Sequence, residues 1–424
     1  MAESAVRGGE PPAGVVAGRD AFARRAWQEA FDLLSRADQE SELSAVDLEV
    51  LAEAAFFAAQ ADIRLDVKER AFKAYLADGN TVRAAYLAAD TAHEHLIRNK
   101  VSIASAWARR ADRLLENQPE SYAHGFVALI RSDLAKHSGD VEGALALAEQ
   151  AVDTGMRVGH ADLRAMATTA VATLKIATGA TTEGISLLEE AAIAAVNDEL
   201  SPITAGIASC QMISACRDLT DYQRASEWIE ATDRWCERQA VSGFPGICRI
   251  HRAEIVAMRG SWERAERELQ QATSELAGYA AIPPMADGFY ALGEIRRLKG
   301  DLDGAEEALR QAHALGRSPQ PALALLRLGA GKVKSAAAAI DAALAEPSWD
   351  QWARARLLGA QVEIALAAGD PAHARSAADE LARIVKDYPS PALTGYRSTP
   401  TRRSCSSTAC GQTSRPGRSR PPTA

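Results

Sequence analysis

The stretch GDLDGAEEALRQA, residues 300–312, has two close copies in the same chain: GSWERAERELQQA at 260–272 and GDVEGALALAEQA at 139–151. In each copy a turn glycine is followed by an apolar residue two places on, a small residue five places on, and apolar residues nine and twelve places on. Offsets that advance by three or four trace one stripe along an α-helix. Each copy therefore predicts an amphipathic helix that begins just after a turn.

The same turn recurs along almost the whole chain. Its ten copies are separated by 31 to 41 positions, which is too regular for the loops of an irregular fold, and the turn residues are Arg25, Gln60, Asn99, Gly139, Gly179, Thr220, Gly260, Gly300, Gly331 and Gly369. Five places after the turn stands alanine or glycine in nine of the ten copies, and such a small side chain lets two helices cross closely. The exception is the Gln60 copy, which has Leu65 at this place.

A second helical stretch precedes each turn, for example FVALIRSDLAKHS (126–138) and GFYALGEIRRLK (288–299). Each unit is therefore helix, tight turn, helix, and a unit of this size cannot bury its apolar face without stacking on its neighbours. The pattern resembles the second half of a tetratricopeptide repeat, with a longer period than the usual length of about 34 residues. It predicts an all-α, right-handed superhelical solenoid of antiparallel helix pairs with a period of about 40 residues. The alternative, an irregular helical bundle, would need no fixed period.

Composition favours helices. The charge and the lack of apolar segments argue against nucleic-acid binding, secretion and membrane insertion. Only 5% of the 424 residues are aromatic, and much of the apolar fraction is alanine, the best helix former. The net charge is −8, but the last 34 residues hold six arginines and no acid, which leaves 42 basic against 56 acidic residues, or −14, in residues 1–390. That body should repel nucleic acid. No secretory signal or membrane span is evident, so a cytoplasmic protein is expected.

Three regions follow from these patterns. We expect a disordered N-terminal segment over residues 1–17, the tetratricopeptide-like domain over 18–390, and a disordered basic tail over 391–424. The tail is rich in Ser, Arg, Pro and Thr and cannot bury enough apolar surface to order itself. Because the helical pattern stops abruptly, we hypothesise a frameshifted end. The alternative is a native tail whose arginines bind nucleic acid or an anionic membrane.

Several phrases are similar to the helical region of actinobacterial LuxR-type transcriptional regulators. They are GRDAFARRAWQEAFDLL (18–34), LEVLAEAAF (48–56), SPITAGIASCQMISAC (201–216), ASEWIEATDRWC (225–236), HRAEI (251–255) and GRSPQPALALLRLGAGKV (316–333). The resemblance covers roughly residues 18–393 and implies a helical-repeat region that precedes a DNA-binding helix-turn-helix. This chain departs from the family pattern after PSPAL (389–393), so direct DNA binding is not expected of it.

The sequence contains no catalytic, cofactor or metal motif with the required spacing. LGAGKVKS (328–335) lacks the first glycine of a phosphate-binding loop, since Leu326 stands at its place. The HEH sequence at 93–95 has Ile97 where a zinc protease needs its second histidine. No close ligand pair exists among Cys210, Cys216, Cys236 and Cys248. We therefore expect neither an enzyme nor a cofactor nor a metal site.

The first helix of each unit usually lines the concave side of such a stack, and residues about three, six and ten before the turn share one face. In three central units this face predicts a groove for a ligand or partner that includes Cys210, Ser214, Arg217, Glu254, Tyr290, Glu294 and Arg297. A mixed polar and aromatic groove suits a peptide or a small polar ligand. The alternative for Glu294 and Arg297 is an ion pair within their own helix. Trp228, Trp235 and Trp262 are expected in the core.

Two hypotheses about function follow. The first is a sensor and protein-interaction region of a LuxR-family regulator, which binds a peptide, a protein or a small ligand in its concave groove. The alternative is a stand-alone tetratricopeptide scaffold for protein-protein interaction without any role in transcription. A protein or peptide partner is expected under both, a small-molecule ligand and homo-oligomerisation stay open, and no membrane association is expected.

Overall fold

The computed structural model describes residues 11–219, 221–241, 248–346 and 350–387. These residues contain no strand and form an all-α, right-handed superhelical solenoid of ten antiparallel helix pairs, with a 3-10 turn at Ala277–Tyr279. The helices are α1 (Ala13–Ala23), α2 (Trp27–Glu40), α3 (Ala45–Phe57), α4 (Ala61–Ala77), α5 (Thr81–Ile97), α6 (Val101–Leu115), α7 (Tyr122–Ser138), α8 (Val141–Val158), α9 (Ala161–Ala177), α10 (Thr181–Val196), α11 (Pro202–Asp218), α12 (Tyr222–Arg238), α13 (Cys248–Met258), α14 (Trp262–Leu276), α15 (Ile282–Lys299), α16 (Leu302–Ala314), α17 (Ala322–Gly329), α18 (Val333–Ala345), α19 (Gln351–Ala367) and α20 (Pro371–Asp387).

In the Gly-Asp turns, the glycine ends one helix and the aspartate caps the start of the next. Gly139 takes a left-handed φ of 83°, which a residue without Cβ adopts without strain, and its N–H and that of Asp140 close the last turn of α7. The Asp140 carboxylate then accepts from the N–H of Gly143, at 2.9 Å, and caps α8. Asp301 caps α16 in the same way. This dipeptide thus marks the boundary between the two helices of a pair.

The predicted turns lie between the paired helices, with one shift of register. Eight of the ten predicted turn residues adopt a positive φ, and Thr220 lies outside the described residues. In the second pair the left-handed residue is Ala59, at φ 57°, and Gln60 is the first residue after it. The position five after the turn is therefore Arg64, and not Leu65, so this copy departs from the small-residue pattern in either register.

The small residues five places after the turn are buried where the paired helices cross. Ala104, Ala144 and Ala305 have no exposed surface. A Cβ on Gly184 would lie 2.5 Å from Cγ1 of Ile176 on the preceding helix, which is closer than real Cβ contacts. The close helix crossing that the sequence pattern predicted is confirmed.

The second pair replaces this small, apolar stripe with buried charges. Arg64 and Lys68 of α4 stand five and nine places after the Ala59 turn and are 7% and 3% exposed. Both bond the buried Glu94 carboxylate of α5, at 2.8 Å and 3.0 Å, and Lys68 also pairs with Asp90 at 2.6 Å. These cations, with Lys68 the more important, offset the burial of Glu94 and lower its pKa to about 2. The interface between α4 and α5 therefore contains buried ion pairs beside its apolar contacts.

The superhelix completes one turn in about five helix pairs, and its successive turns touch. We call α1–α10 the first turn, α11–α20 the second turn, and the contacts between them the inter-turn seam, which includes four that join pairs five apart. Three contacts lie at or just after the ends of first-turn helices: the Arg25 guanidinium donates to the carbonyl of Arg238, at 3.3 Å, the Phe56 ring lies 5.8 Å from that of Tyr279, and Asn99 contacts Gly316. The fourth is the indole N–H of Trp352, which donates to the Ile176 carbonyl at 3.2 Å.

The ends of the described solenoid differ slightly from the expected domain limits. Helix α1 begins at Ala13, within the segment expected to be disordered, and Val15 is buried. The tail over 391–424 lies outside the described residues, so its order and its origin stay predictions. Of the expected core tryptophans, Trp235 is 1% exposed, while Trp228 and Trp262 are partly buried against apolar clusters. In the described part of the chain, no helix combines the length and apolar character needed to cross a bilayer.

Candidate functional site

The predicted groove contains a salt bridge between two neighbouring first helices of the second turn. Arg217 ends α11 and Glu254 lies in α13, and they form a bidentate pair at 2.7 Å and 3.0 Å. His251, one turn earlier on α13, donates from Nδ1 to the same carboxylate at 2.8 Å. The Arg217 and Glu254 side chains are 16% and 21% exposed, so the pair keeps some contact with solvent. Two predicted residues are thus brought together.

Cys210 and Ser214 lie on the same helix but differ in access. Cys210 is 4% exposed and packs with Ile213 in a small apolar cluster that includes Phe56 of the first turn. Its thiol is therefore part of the packing behind the seam. Ser214 is partly exposed, one turn from Arg217.

A guanidinium group packs on the ring of Tyr290 in α15. The Arg317 guanidinium carbon lies 4.2 Å from the ring centroid, within cation-π range. Arg317 also pairs with Asp287, one helical turn before Tyr290, while its buried Nε has no hydrogen-bond partner among the described residues. Arg317 follows α16, so the site draws on a residue outside the first helices.

A third arginine reaches this region from the end of the second turn. Arg356 of α19 lies 4.0 Å from the Asp218 carboxylate and is half exposed. Burial, with the nearby charges of Arg356 and Arg217, lowers the pKa of Arg317 to about 10. Because α11 and α19 are four helix pairs apart, this proximity shows that the charges face one another across the interior of the superhelix.

Glu294 and Arg297 form the ion pair within α15 that was the alternative to a groove role. The Arg297 Nε lies 2.9 Å from a Glu294 carboxylate oxygen, at the i, i+3 spacing. Both side chains are partly exposed. A ligand would have to compete with this local pair, as it would with the pair between Arg217 and Glu254.

The protonation states of the cluster follow from its pairing. Burial disfavours a charged Glu254, but the Arg217 charge and the His251 hydrogen bond prevail and hold the pKa of Glu254 well below its ordinary value. Burial and the Arg217 charge lower the pKa of His251. Burial, followed by the Glu294 charge, raises the pKa of Tyr290. At neutral pH the site therefore presents charged Arg217 and Glu254 beside a neutral phenol.

The sequence pattern missed Arg317, Arg356 and His251. Arg317 lies in the connection after α16 and contacts Asp287 and Tyr290 of its own helix pair. Arg356 comes from the last helix pair, and closure of the superhelix brings it to Asp218. His251 stands one helical turn before Glu254, at a spacing that was available in the sequence as a hydrogen-bonded pair on one helix face. In the part of the chain that the structure describes, no group of three His, Cys, Asp or Glu side chains could hold a metal ion.

No protein-family model matches the sequence, and no curated protein does. Human IFIT1 bound to m7Gppp-AAAA is similar in structure over 89% of this chain and 83% of that chain, at 13% identity and a TM-score of 0.48. A Rap protein complexed with competence and sporulation factor matches 84% of this chain and 98% of that one, at 12% identity and a TM-score of 0.47.

A third match is a signal-transduction ATPase with a tetratricopeptide repeat sensor from Pyrococcus horikoshii, at 15% identity and a TM-score of 0.40. It covers 70% of this chain and 46% of the ATPase, so this chain spans about half the length of that protein. At these levels the three similarities concern the fold and not the function.

Proposed function

We propose that this chain is a helical-repeat binding module whose second-turn interior holds a peptide of mixed charge. The observation that supports this best is the convergence of Arg217, Glu254 and Tyr290 with Arg317 and Arg356, from four helices and one connection, on one partly exposed surface. The three arginines lie beside the carboxylates of Glu254, Asp287 and Asp218, so charges of both signs surround the Tyr290 ring. A peptide with acidic and basic side chains could exchange pairs with this surface, whereas a purely anionic or cationic ligand would leave like charges facing it.

The test is a selection of peptides from a random library on the immobilised full chain, followed by affinity measurements on the selected peptides. Arg356→Ala and Tyr290→Leu should each weaken binding by about tenfold, the loss of one charge-assisted or aromatic contact. Arg310→Ala is the matched control, because Arg310 is an exposed arginine that pairs with Glu307 on α16, away from the interior. Selected peptides that bind all three variants as they bind the unaltered chain would contradict the proposal.

The finer proposal is that the module serves as the sensor region of a LuxR-type regulator. It is supported by the phrase-level resemblance over residues 18–393, and a peptide bound in the interior would act there by changing the curvature of the solenoid. Translation of the coding DNA in the other frames beyond residue 390 tests this. A helix-turn-helix segment there supports the regulator, while its absence favours the second candidate, a stand-alone interaction scaffold. On either view the chain itself should show no sequence-specific DNA binding in a gel-shift assay.

A further inference from the structure

The interior of the first turn carries an aromatic cluster that is independent of the second-turn site. Tyr86 of α5 meets Phe126 of α7 edge-on, with 4.9 Å between ring centroids. Tyr122, also in α7, lies 5.7 Å from Tyr86 and stacks on the His160 ring at 5.1 Å. All four side chains are only partly buried. Three consecutive helix pairs therefore present ring surface to the interior of the solenoid.

One cation is already bound against this aromatic surface by the chain itself. The Arg83 guanidinium carbon lies 4.6 Å from the centroid of the Tyr86 ring. The same guanidinium forms a bidentate pair with the Glu49 carboxylate of α3, at 2.8 Å and 3.0 Å, and donates to the Tyr122 hydroxyl at 3.2 Å. The Glu49 carboxylate, the Arg83 guanidinium and the Tyr86 ring thus form one arrangement, which shows that this surface accepts a guanidinium group.

A second carboxylate, one helical turn further along α3, has no such cation. Glu53 is partly exposed and makes no hydrogen bond or ion pair among the described residues. Arg64 is its nearest compensating charge, but that guanidinium is paired with Glu94 and packs on the Phe56 ring at 4.4 Å. Glu53 thus repeats the position of Glu49 without the arginine that completes it.

Further acids approach Glu53 from the far side of the interior. Asp90 of α5 is near enough to act on the Glu53 carboxyl, and so is Asp162 of α9, three helix pairs away from α3. Both have partners, since Asp90 pairs with Lys68 and Asp162 accepts from the backbone N–H of Ser201 at 2.8 Å. Burial, offset in part by Arg64 and increased by Asp162, Asp90 and Glu49, raises the pKa of Glu53 to about 7.

We infer that the first-turn interior is a binding site for an alkylguanidinium group, with Glu53 as its counter-ion and Tyr86 and Phe126 as the aromatic wall. The ligand supplies the cation that Glu53 lacks, in the arrangement that Arg83 shows beside Glu49. A planar guanidinium bonds a carboxylate through two N–H groups and stacks on a ring face, which a metal ion does not. This site and the second-turn site share no residue, so either can fail without the other.

Isothermal titration of the full chain with butylguanidinium tests the inference, with butylurea as the uncharged analogue of the same shape. Butylguanidinium should bind at least tenfold more tightly than butylurea. The Glu53→Gln variant should lose at least tenfold in affinity, whereas Glu142→Gln, an exposed glutamate of α8, should bind as the unaltered chain does. Glu53→Gln removes an unpartnered charge, so the variant should fold, and circular dichroism checks this.

A second measurement follows the protonation of Glu53. Butylguanidinium holds Glu53 ionised, so its affinity should rise between pH 5 and pH 8, and at pH 6 binding should release a proton that is seen as a dependence of the heat on buffer ionisation enthalpy. The Glu53→Gln variant should show neither effect. Equal binding of butylguanidinium and butylurea, or an affinity that Glu53→Gln changes by less than twofold, would overturn the inference.

Discussion

The two turns of the superhelix treat their interior charges differently. In the second turn each charge named at the candidate site has an opposite partner: Arg217 has Glu254, Arg317 has Asp287, and Arg297 has Glu294. In the first turn Glu53 has none, although buried ion pairs lie directly behind it. The repeat thus accommodates interior charges in two ways: as ion pairs at the second-turn site, and at Glu53 as a carboxyl that a ligand can bind without breaking an existing pair.

The same contrast appears in the packing behind the two interiors. Five and nine places after their turns, the seventh pair has Ala265 and Leu269, both fully buried, where the second pair has Arg64 and Lys68. An apolar interface tolerates the loss of one side chain by partial collapse, but a buried ion pair that loses one member leaves the other charge uncompensated. The first turn should therefore be the more sensitive to loss of a charge.

The largest predicted effect is on folding stability in the first turn. Glu94→Gln should lower the free energy of unfolding by about 3–5 kcal/mol, because the buried Arg64 loses its paired carboxylate while Lys68 keeps that of Asp90. The matched change Glu254→Gln should lower it by about 1 kcal/mol, since its pair is partly solvated and Arg217 keeps Asp218. Urea unfolding followed by circular dichroism measures both. Equal losses would show that the two turns bury their charges alike.

A smaller effect, of opposite sign, is expected at Glu53. A raised carboxyl pKa means that the folded chain holds the proton more tightly than the unfolded chain, so folding stability falls as the pH rises from about 4.5 to about 7. Glu53→Gln should therefore be about 1–3 kcal/mol more stable than the unaltered chain at pH 8 and equally stable at pH 4. Thermal unfolding at the two pH values checks this, with Glu142→Gln as the control. A stability difference that does not change with pH would contradict it.

The smallest effect concerns the turns themselves. Gly300 has φ 85° and open space around its Cβ position, so Gly300→Ala should lower the unfolding free energy by about 1 kcal/mol through backbone strain alone. At Asn99, φ is 56° and the side chain contacts the second turn at Gly316. Asn99→Gly relieves the strain but loses that contact, so its net effect should stay within about 0.5 kcal/mol. Chemical unfolding at neutral pH compares the two, and a clear stabilisation by Asn99→Gly would show that the seam contact contributes nothing.

The fold was predictable because its signal is local and repeated. A turn glycine, a capping aspartate and a small residue five places on act within one helix pair, so each copy in the sequence is an independent observation of the same geometry. The local nature of the signal also explains the error of one residue in the predicted register at Gln60. Arg64 and Lys68 stand where the pattern expects a small and an apolar residue, and only their long-range pairing with Glu94 makes this placement tolerable.

The candidate site was predictable only in part, because two of its arginines lie outside the predicted inner face. Arg217, Glu254 and Tyr290 occupy the predicted inner face, and their spacing follows from the helix period. Arg317 joins Tyr290 from the connection after α16, which the helical pattern does not describe. Arg356 approaches Asp218 through the curvature of the stack, which depends on the summed rotation of many units and not on any single motif. Cys210 has the right spacing but is covered by the contact with Phe56 across the seam.

The inter-turn seam makes the number of repeats matter. Arg25, Phe56 and Asn99 each meet a connection that follows the fifth helix pair beyond their own. Deleting or inserting one whole pair between them would leave every local interface intact, yet it would bring each of these side chains opposite the wrong connection. A solenoid without such contacts can gain or lose units freely. In this one, the contacts between turns constrain the number of helix pairs, although no single pair does so.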